Sequence, residues 1–100
     1  FPTMPADLME TFMGKTFNPE GLDAKTKLLL TLCALTIMGA QAEAQVRITV
    51  RHAVEAGATH QEIAETIGVA AMFGGVPAMT KAMELAREVL DGAAPEGDQT

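Results

Sequence analysis

Apolar residues recur at steps of three and four along most of this chain, which is the spacing of residues on one face of an α-helix. The stripe nearest the end comprises Met79, Met83, Ala86, Val89 and Leu90. An earlier one comprises Ile63, Ile67, Ala70 and Ala71. A short stripe near the start comprises Leu8, Met9, Phe12 and Met13. Together the stripes predict an all-α fold of about five helices.

Residues 28–38 (LLLTLCALTIM) depart from this pattern because they are apolar on nearly every face. A helix that is apolar all round is buried all round. Since a chain of 100 residues has few other helices to cover it, we expect a neighbouring subunit to bury part of it, in a homo-oligomer. Cys33 lies in the middle of this segment, where we expect a small buried hydrophobic residue.

Local signals predict where the helices begin and end. Asp23 is a suitable N-cap for the apolar segment, and Gly57 tolerates the left-handed conformation that ends a helix. Thr59 precedes Glu62 by three residues, which is the spacing of a capping box. Pro77 suits the first turn of the last helix, and the two glycines shortly before it mark the end of the preceding one.

These signals divide the chain into three parts. Residues 1–21 are predicted to be a short helix and a connecting loop, and residues 22–92 one helical domain. Residues 93–100 are rich in Pro, Gly and acidic residues and are expected to be a disordered tail. The predicted helices cover residues 5–13, 23–38, 42–56, 60–73 and 77–92.

Composition and charge argue against several classes of function. A formal net charge of −6 and a pI near 4.7 leave no concentrated basic surface for nucleic acid. No stretch approaches the roughly 20 apolar residues of a membrane span, and the first 16 residues lack the pattern of a signal peptide. We therefore expect a cytoplasmic protein with no nucleic-acid or membrane partner. The single cysteine rules out a CxxC redox pair within these residues.

Candidate chemistry is confined to the segment 42–56. Ala42, Gln45, Thr49 and His52 recur at steps of three and four, so they lie along one stripe of the predicted helix. His52 is the candidate general acid or base, and the alternative is an ordinary surface or interface histidine. Gln45 and Thr49 would hydrogen-bond a small polar ligand, or else each other or the backbone.

Two arginines of the same segment are candidates for holding a substrate carboxylate. Arg47 and Arg51 are four residues apart and form a small basic edge. The alternative is a solvated helix face with Glu43 and Glu55 as ionic neighbours. His52 with these glutamates is too small a ligand set for a metal, so no metal or other cofactor is expected.

Three motifs in order along the chain resemble the carboxymuconolactone decarboxylase family, which includes the alkylhydroperoxidase D-like proteins. They are LDAKTK at 22–27, AVEAGATHQEI at 53–63 and FGGVPA at 73–78. The second is similar to the family's A-x-x-x-G-x-T-x-x-E-I and the third to its G-G-x-P turn. The resemblance covers about residues 22–90. It implies an all-α subunit that assembles as a dimer, trimer or hexamer, with the active site on the helix that begins near Ala42.

The chain departs from the family's redox members at the active-site positions. Those members carry C-x-x-C-x-x-x-H, and counting back from Gly57 places Ala42 and Gln45 at the two Cys positions and Thr49 at the His position. A glutamate of the redox members corresponds to Leu28. Peroxide reduction requires a thiolate and a second thiol, which Ala and Gln cannot supply. The decarboxylase members lack the Cys pair but keep a His near the position of Thr49.

Two classes of function remain after this comparison. The preferred one is a homo-oligomeric small-molecule-binding or structural module without thiol redox activity. The alternative is a cofactor-free lyase or decarboxylase in which His52, aided by Gln45, Thr49 or Arg51, handles protons on a small carboxylated lactone. A peroxidase is the least favoured, because Cys33 would have to act alone or across a subunit interface.

Overall fold

A computed structural model describes residues 5–15 and 19–92, and within those ranges it contains five α-helices and no strand. The helices are α1 (Ala6–Met13), α2 (Ala24–Ile37), α3 (Glu43–Glu55), α4 (His60–Gly74) and α5 (Val76–Gly92). The prediction of an all-α fold with five helices is therefore confirmed. The predicted disordered tail at 93–100 lies outside the described residues.

Four of the helices form a ring in the order α2, α4, α5, α3, because α2 and α5 each pack on both α3 and α4. The neighbours α2 and α4 run parallel. Lys25 near the start of α2 contacts Glu62 near the start of α4, and Ile37 at the end of α2 lies against Gly74 at the end of α4. Within the described residues, no helix has the length and hydropathy needed to cross a membrane.

The core lies on the axis of this ring and is built from aliphatic side chains. Its largest fully buried members are Met9, Leu32, Ile63, Ile67, Val46, Val50 and Thr36. The hydroxyl of Thr36 donates to the Leu32 carbonyl oxygen at 2.8 Å, which satisfies its polar group inside the core. Helix α1 covers the start of α2, where Met9 is buried and the Glu10 carboxylate accepts from the Ala24 N–H at 3.1 Å.

The predicted helix ends are present. The Asp23 carboxylate accepts from the Thr26 N–H at 2.8 Å, which caps α2. Gly57 follows α3 with φ of 105°, a conformation that costs other residues about 1 kcal/mol or more. Thr59 and Glu62 form the complete capping box of α4: the Glu62 N–H donates to the Thr59 hydroxyl at 3.0 Å, and the Thr59 N–H donates to the Glu62 carboxylate at 2.9 Å.

The side of α2 that faces away from the ring is exposed, so the single chain does not bury every face of the apolar segment. Its burial by a neighbouring subunit stays a prediction. Leu30, Ile37 and Met38 are 40–74% exposed, because α3 and α4 cover only one side of the helix. Cys33 is half-buried rather than buried. Met72 on the outer side of α4 is likewise 74% exposed.

Candidate functional site

Helix α3 places the candidate residues on two different flanks. Successive residues of an α-helix are rotated by about 100° around its axis. Arg47 therefore lies roughly 140° around α3 from His52 and roughly 160° from Thr49. Arg47 contacts Glu88 of α5, which shows that its flank faces α5. Since α3 packs between α5 and α2, the flank carrying Gln45, Thr49 and His52 lies next to α2. One subunit therefore cannot bring Arg47 to a ligand held by His52.

The stripe next to α2 presents polar groups that have no protein partner. Gln45 is exposed, His52 is half-buried, and Thr49 is only 7% exposed because it borders the core residues Val46 and Val50. Among the described residues, no hydrogen bond or ion pair involves the side chains of this stripe. In the described part of the chain, Gln45 and Thr49 therefore do not bond each other or the backbone through their side chains. The geometry instead leaves an amide, a hydroxyl and an imidazole available on one line.

The flank of α3 that faces α5 is occupied by a chain of ion pairs. The Lys81 Nζ atom lies 3.1 Å from Glu43, Glu43 lies 3.5 Å from Arg47, and Arg47 Nε lies 3.4 Å from Glu88. Lys81, which hydrogen-bonds the Glu43 carboxylate, and then Arg47 hold the pKa of that carboxyl below its usual value. Arg47 thus has ionic neighbours. The contact with Glu43 is the one predicted by the hypothesis of a solvated helix face. Its guanidinium is already shared between two carboxylates.

Arg51 differs from Arg47 in this respect. It is half-buried one turn further along α3, and within the described ranges it forms no ion pair, including the one expected with Glu55. Of the two candidate substrate-binding arginines, Arg51 is consequently the one with an uncommitted guanidinium.

A charged cleft of about 460 Å³ opens between α3 and α5. It is lined by Glu43, Arg47, Lys81, Glu84, Leu85, Arg87, Glu88 and Asp91. Because its three cations are matched by four carboxylates, it has no strong preference for an anion. One partner of Arg47, Glu88, is 41 positions away in sequence, so only the contact with Glu43 could be predicted, from its i, i+4 spacing.

Smaller clefts lie beside α4, and two of them bear on the candidate residues. The apolar cleft, about 210 Å³, lies between α2 and α4 and is lined by Thr26, Leu29, Leu30, Cys33, Thr66 and Val69. Another of about 210 Å³ lies between α4 and α5 beside His60 and Arg87. His60 is exposed, as expected at a helix start. The described residues contain no group of His, Cys, Asp or Glu side chains that could hold a metal ion.

The other perturbed carboxyl groups belong to helix ends rather than to a catalytic site. The Thr59 N–H and the Lys25 ammonium hold the pKa of Glu62 below its usual value. Hydrogen bonds from Thr26 do the same for the pKa of Asp23. The same contacts therefore stabilise the ionised carboxylates that cap α4 and α2.

Comparison with known proteins identifies the relatives of this chain. It is 64% identical over 88 residues to an uncharacterized 15.0 kDa protein from the nqo9-nqo10 intergenic region of Paracoccus denitrificans, a match that covers 88% of this chain and 66% of the relative. It is 33% identical over 85 residues to 4-carboxymuconolactone decarboxylase of Acinetobacter baylyi, covering 83% of this chain and 62% of the relative. The chain therefore spans less than two thirds of the length of either relative. No solved structure is significantly similar to it.

The family assignment rests on a match to a model of the whole family. The family model of the carboxymuconolactone decarboxylase family matches residues 2–88, which includes all three motifs and all of α2, α3 and α4. The chain belongs to the carboxymuconolactone decarboxylase family.

Proposed function

We propose that this chain is a homo-oligomeric small-molecule-binding or structural member of its family without thiol redox activity. The observation that carries the proposal is the stripe Gln45–Thr49–His52 beside α2. Gln45 is exposed, His52 is half-buried and Thr49 is buried, and none of the three side chains has a partner among the described residues. An amide, a hydroxyl and an imidazole together recognise a small polar molecule through hydrogen bonds.

The position of the only cysteine supports the absence of redox activity. Cys33 lies in the apolar cleft between α2 and α4, whereas the candidate stripe is on α3. Peroxide reduction needs a low-pKa thiolate with a resolving thiol beside it. Within these 100 residues there is one cysteine, so no second thiol of the same chain segment can resolve it.

A second candidate function is a cofactor-free decarboxylase acting on a small carboxylated lactone. It is favoured by the 33% identity to a 4-carboxymuconolactone decarboxylase and by the half-buried position of His52. Loss of CO₂ leaves an electron pair on carbon, which conjugation with a carbonyl can delocalise and a proton donor must quench. His52 would donate that proton. Arg51 rather than Arg47 would hold a carboxylate, because Arg51 lies about 100° around α3 from His52, against roughly 140° for Arg47, and because Arg47 is shared by two glutamates.

One panel of variants tests both functions. The wild type, His52→Ala, Gln45→Ala, Arg51→Ala and the control Arg47→Ala are assayed for turnover of a carboxylated lactone and of an organic hydroperoxide. If the chain is a binding module, no variant turns over either substrate above background. The NMR resonances of the Gln45 amide and the His52 imidazole then shift when a small carboxylate is titrated into the protein. Lactone turnover lost by about 10²-fold or more in His52→Ala, at unchanged melting temperature, would establish the decarboxylase instead.

Hydroperoxide turnover by the wild type would contradict both candidates. So would resonance shifts confined to the α3–α5 flank, because the ligand would then bind the charged cleft and not the proposed stripe.

A further inference from the structure

Large apolar side chains are concentrated on one surface of the molecule. Of the ten that are exposed in the described residues, seven lie on the outer sides of α2 and α4 and at the start of α5. This α2–α4 apolar surface comprises Leu30, Ile37, Met38, Val69, Met72, Phe73 and Val76. Because α2 and α4 run side by side, the seven side chains form one continuous band rather than isolated exposed residues.

The same surface is free of charge. Residues 28–42 and 66–80 contain no Asp, Glu, Lys or Arg, although the chain as a whole carries a formal charge of −6. Depletion of charge with enrichment of Phe and Met is typical of the buried centre of a protein interface. A basic partner or an anionic lipid surface would find no complementary charge here.

The area of the surface suits a standard interface. The seven side chains are each 40–74% exposed, and together they form an apolar patch on the order of several hundred Å², the size that marks interaction sites. A standard interface buries about 800 Å² per partner, a little over half of it apolar. The surface is thus large enough to form one side of a stable dimer.

The surface also carries a protruding side chain, Phe73 (the knob), and a cavity, the apolar cleft (the hole). Phe73 is 74% exposed and lies one turn beyond Val69, which lines the apolar cleft. The cleft measures about 210 Å³, and a cavity of about 150 Å³ already admits benzene. Thr66, one of its two threonines, donates its hydroxyl to the Glu62 carbonyl oxygen at 2.7 Å, so it presents only its methyl group as a free contact.

We propose that two copies of this chain associate through the α2–α4 apolar surface, with Phe73 of each copy inserted into the apolar cleft of the other. In a two-fold dimer the same patch serves both subunits, so one knob and one hole on each surface satisfy both contacts. Aromatic side chains seated in desolvated pockets carry most of the binding energy of an interface. This inference rests on the homo-oligomeric state in the proposed function and names the residue and the pocket that produce it.

The first test measures the self-dissociation constant by sedimentation equilibrium at micromolar concentrations. Phe73→Ser is expected to raise the constant at least about tenfold. The matched control is Phe12→Ser, since Phe12 is 70% exposed but lies on α1, outside the surface; it should change the constant less than about threefold. Both side chains are exposed, so neither substitution should unfold the chain.

The second test uses the native cysteine of the cleft as a reporter. Phe73→Cys should form an intermolecular disulfide with Cys33 under mild oxidation, seen as a dimer-sized band that disappears on reduction. The band should be absent from Phe12→Cys and from the double variant Phe73→Cys/Cys33→Ser. A peptide linking positions 33 and 73 between two chains would support the proposal.

The outcomes separate this inference from the one on which it rests. A wild-type chain that is monomeric at all concentrations overturns both the interface and the homo-oligomer. A wild-type oligomer whose dissociation constant is unchanged by Phe73→Ser, or a Phe73→Cys that gives no dimer band, overturns the assignment of Phe73 alone.

Discussion

Glu62 connects a helix cap to the neighbouring helix. Its carboxylate accepts the Thr59 N–H at 2.9 Å and lies 3.1 Å from the Lys25 ammonium of α2. Both contacts favour the ionised carboxylate, with the N–H the larger influence on its pKa. The same side chain therefore caps the start of α4 and links it to the start of α2.

The lowered pKa of Glu62 predicts a pH dependence of stability. In the unfolded chain the carboxyl titrates near its usual value of 4.5, and in the folded chain it titrates lower. Its contribution is therefore complete above that value and is lost as the pH falls from 4.5 through the folded pKa. We expect Glu62→Gln to be less stable than the wild type in urea unfolding at pH 7, with a smaller difference at pH 3.

The control for this prediction is Glu65→Gln on the same helix. Glu65 accepts from Gln61 at 2.6 Å and, in the described part of the chain, contacts no cation. The free energy of unfolding of Glu65→Gln should stay within about 0.5 kcal/mol of the wild-type value at pH 7. An equal destabilisation by Glu62→Gln at both pH values would show that shape and not charge is the cause.

Among single residues, those with local partners were the ones that the sequence predicted well. The cap of Asp23, the turn at Gly57 and the capping box all involve neighbours within five positions. The partner of Arg47 on α5 is 41 residues away, and no short-range spacing indicates it. For the same reason the availability of Arg51 and of the Gln45–Thr49–His52 stripe emerged only from the packed helices.

At the scale of elements, the close approach of α2 to α4 depends on a glycine, Gly74, at the end of α4. A Cβ atom at Gly74 would lie 2.9 Å from the Ile37 Cα and 3.1 Å from its carbonyl oxygen. Since both are backbone atoms, no side-chain rotation can relieve the clash. Gly74 is therefore required for the close contact at the ends of the two parallel helices.

Two glycines of α4 give opposite predictions for the same substitution. Gly74→Ala is expected to reduce the free energy of unfolding by about 1–3 kcal/mol, because α2 must shift. Gly68→Ala is expected to raise it by about 0.5–1 kcal/mol, since Gly68 is mid-helix with open space around its Cα and Ala is the better helix former. Thermal and urea unfolding measure both. A stabilising Gly74→Ala would mean that the ends of α2 and α4 are further apart than described.

The number and ends of the helices were predictable, whereas the covered face of α2 was not. Stripes such as Ile63, Ile67 and Ala70 indicate an inward side directly. Helix α2 is apolar all round, so its sequence cannot say which side meets α3 and α4. That choice follows from the order of helices in the ring, and it leaves Leu30, Ile37 and Met38 outside.

For the whole molecule, association and folding are expected to be coupled. If a second copy covers the α2–α4 apolar surface, the folded state gains stability by mass action. The midpoint of thermal unfolding should then rise by about 3–6 °C for each tenfold increase in protein concentration. Scanning calorimetry between about 5 and 500 μM of protein provides the measurement. A midpoint independent of concentration would show that the chain unfolds as a monomer.

The ring order also determines how the chain can reach its native state. Helices α2 and α3 are adjacent in sequence and pack on each other, as do α4 and α5, so each pair can close through a short loop at small entropic cost. The contacts between α2 and α4 and between α3 and α5 join the two hairpins and span much longer stretches of chain. We therefore expect each hairpin to form first and the two hairpins to dock afterwards. The connection between α3 and α4, which crosses the ring, is the only covalent tether that holds the hairpins at high local concentration until they dock.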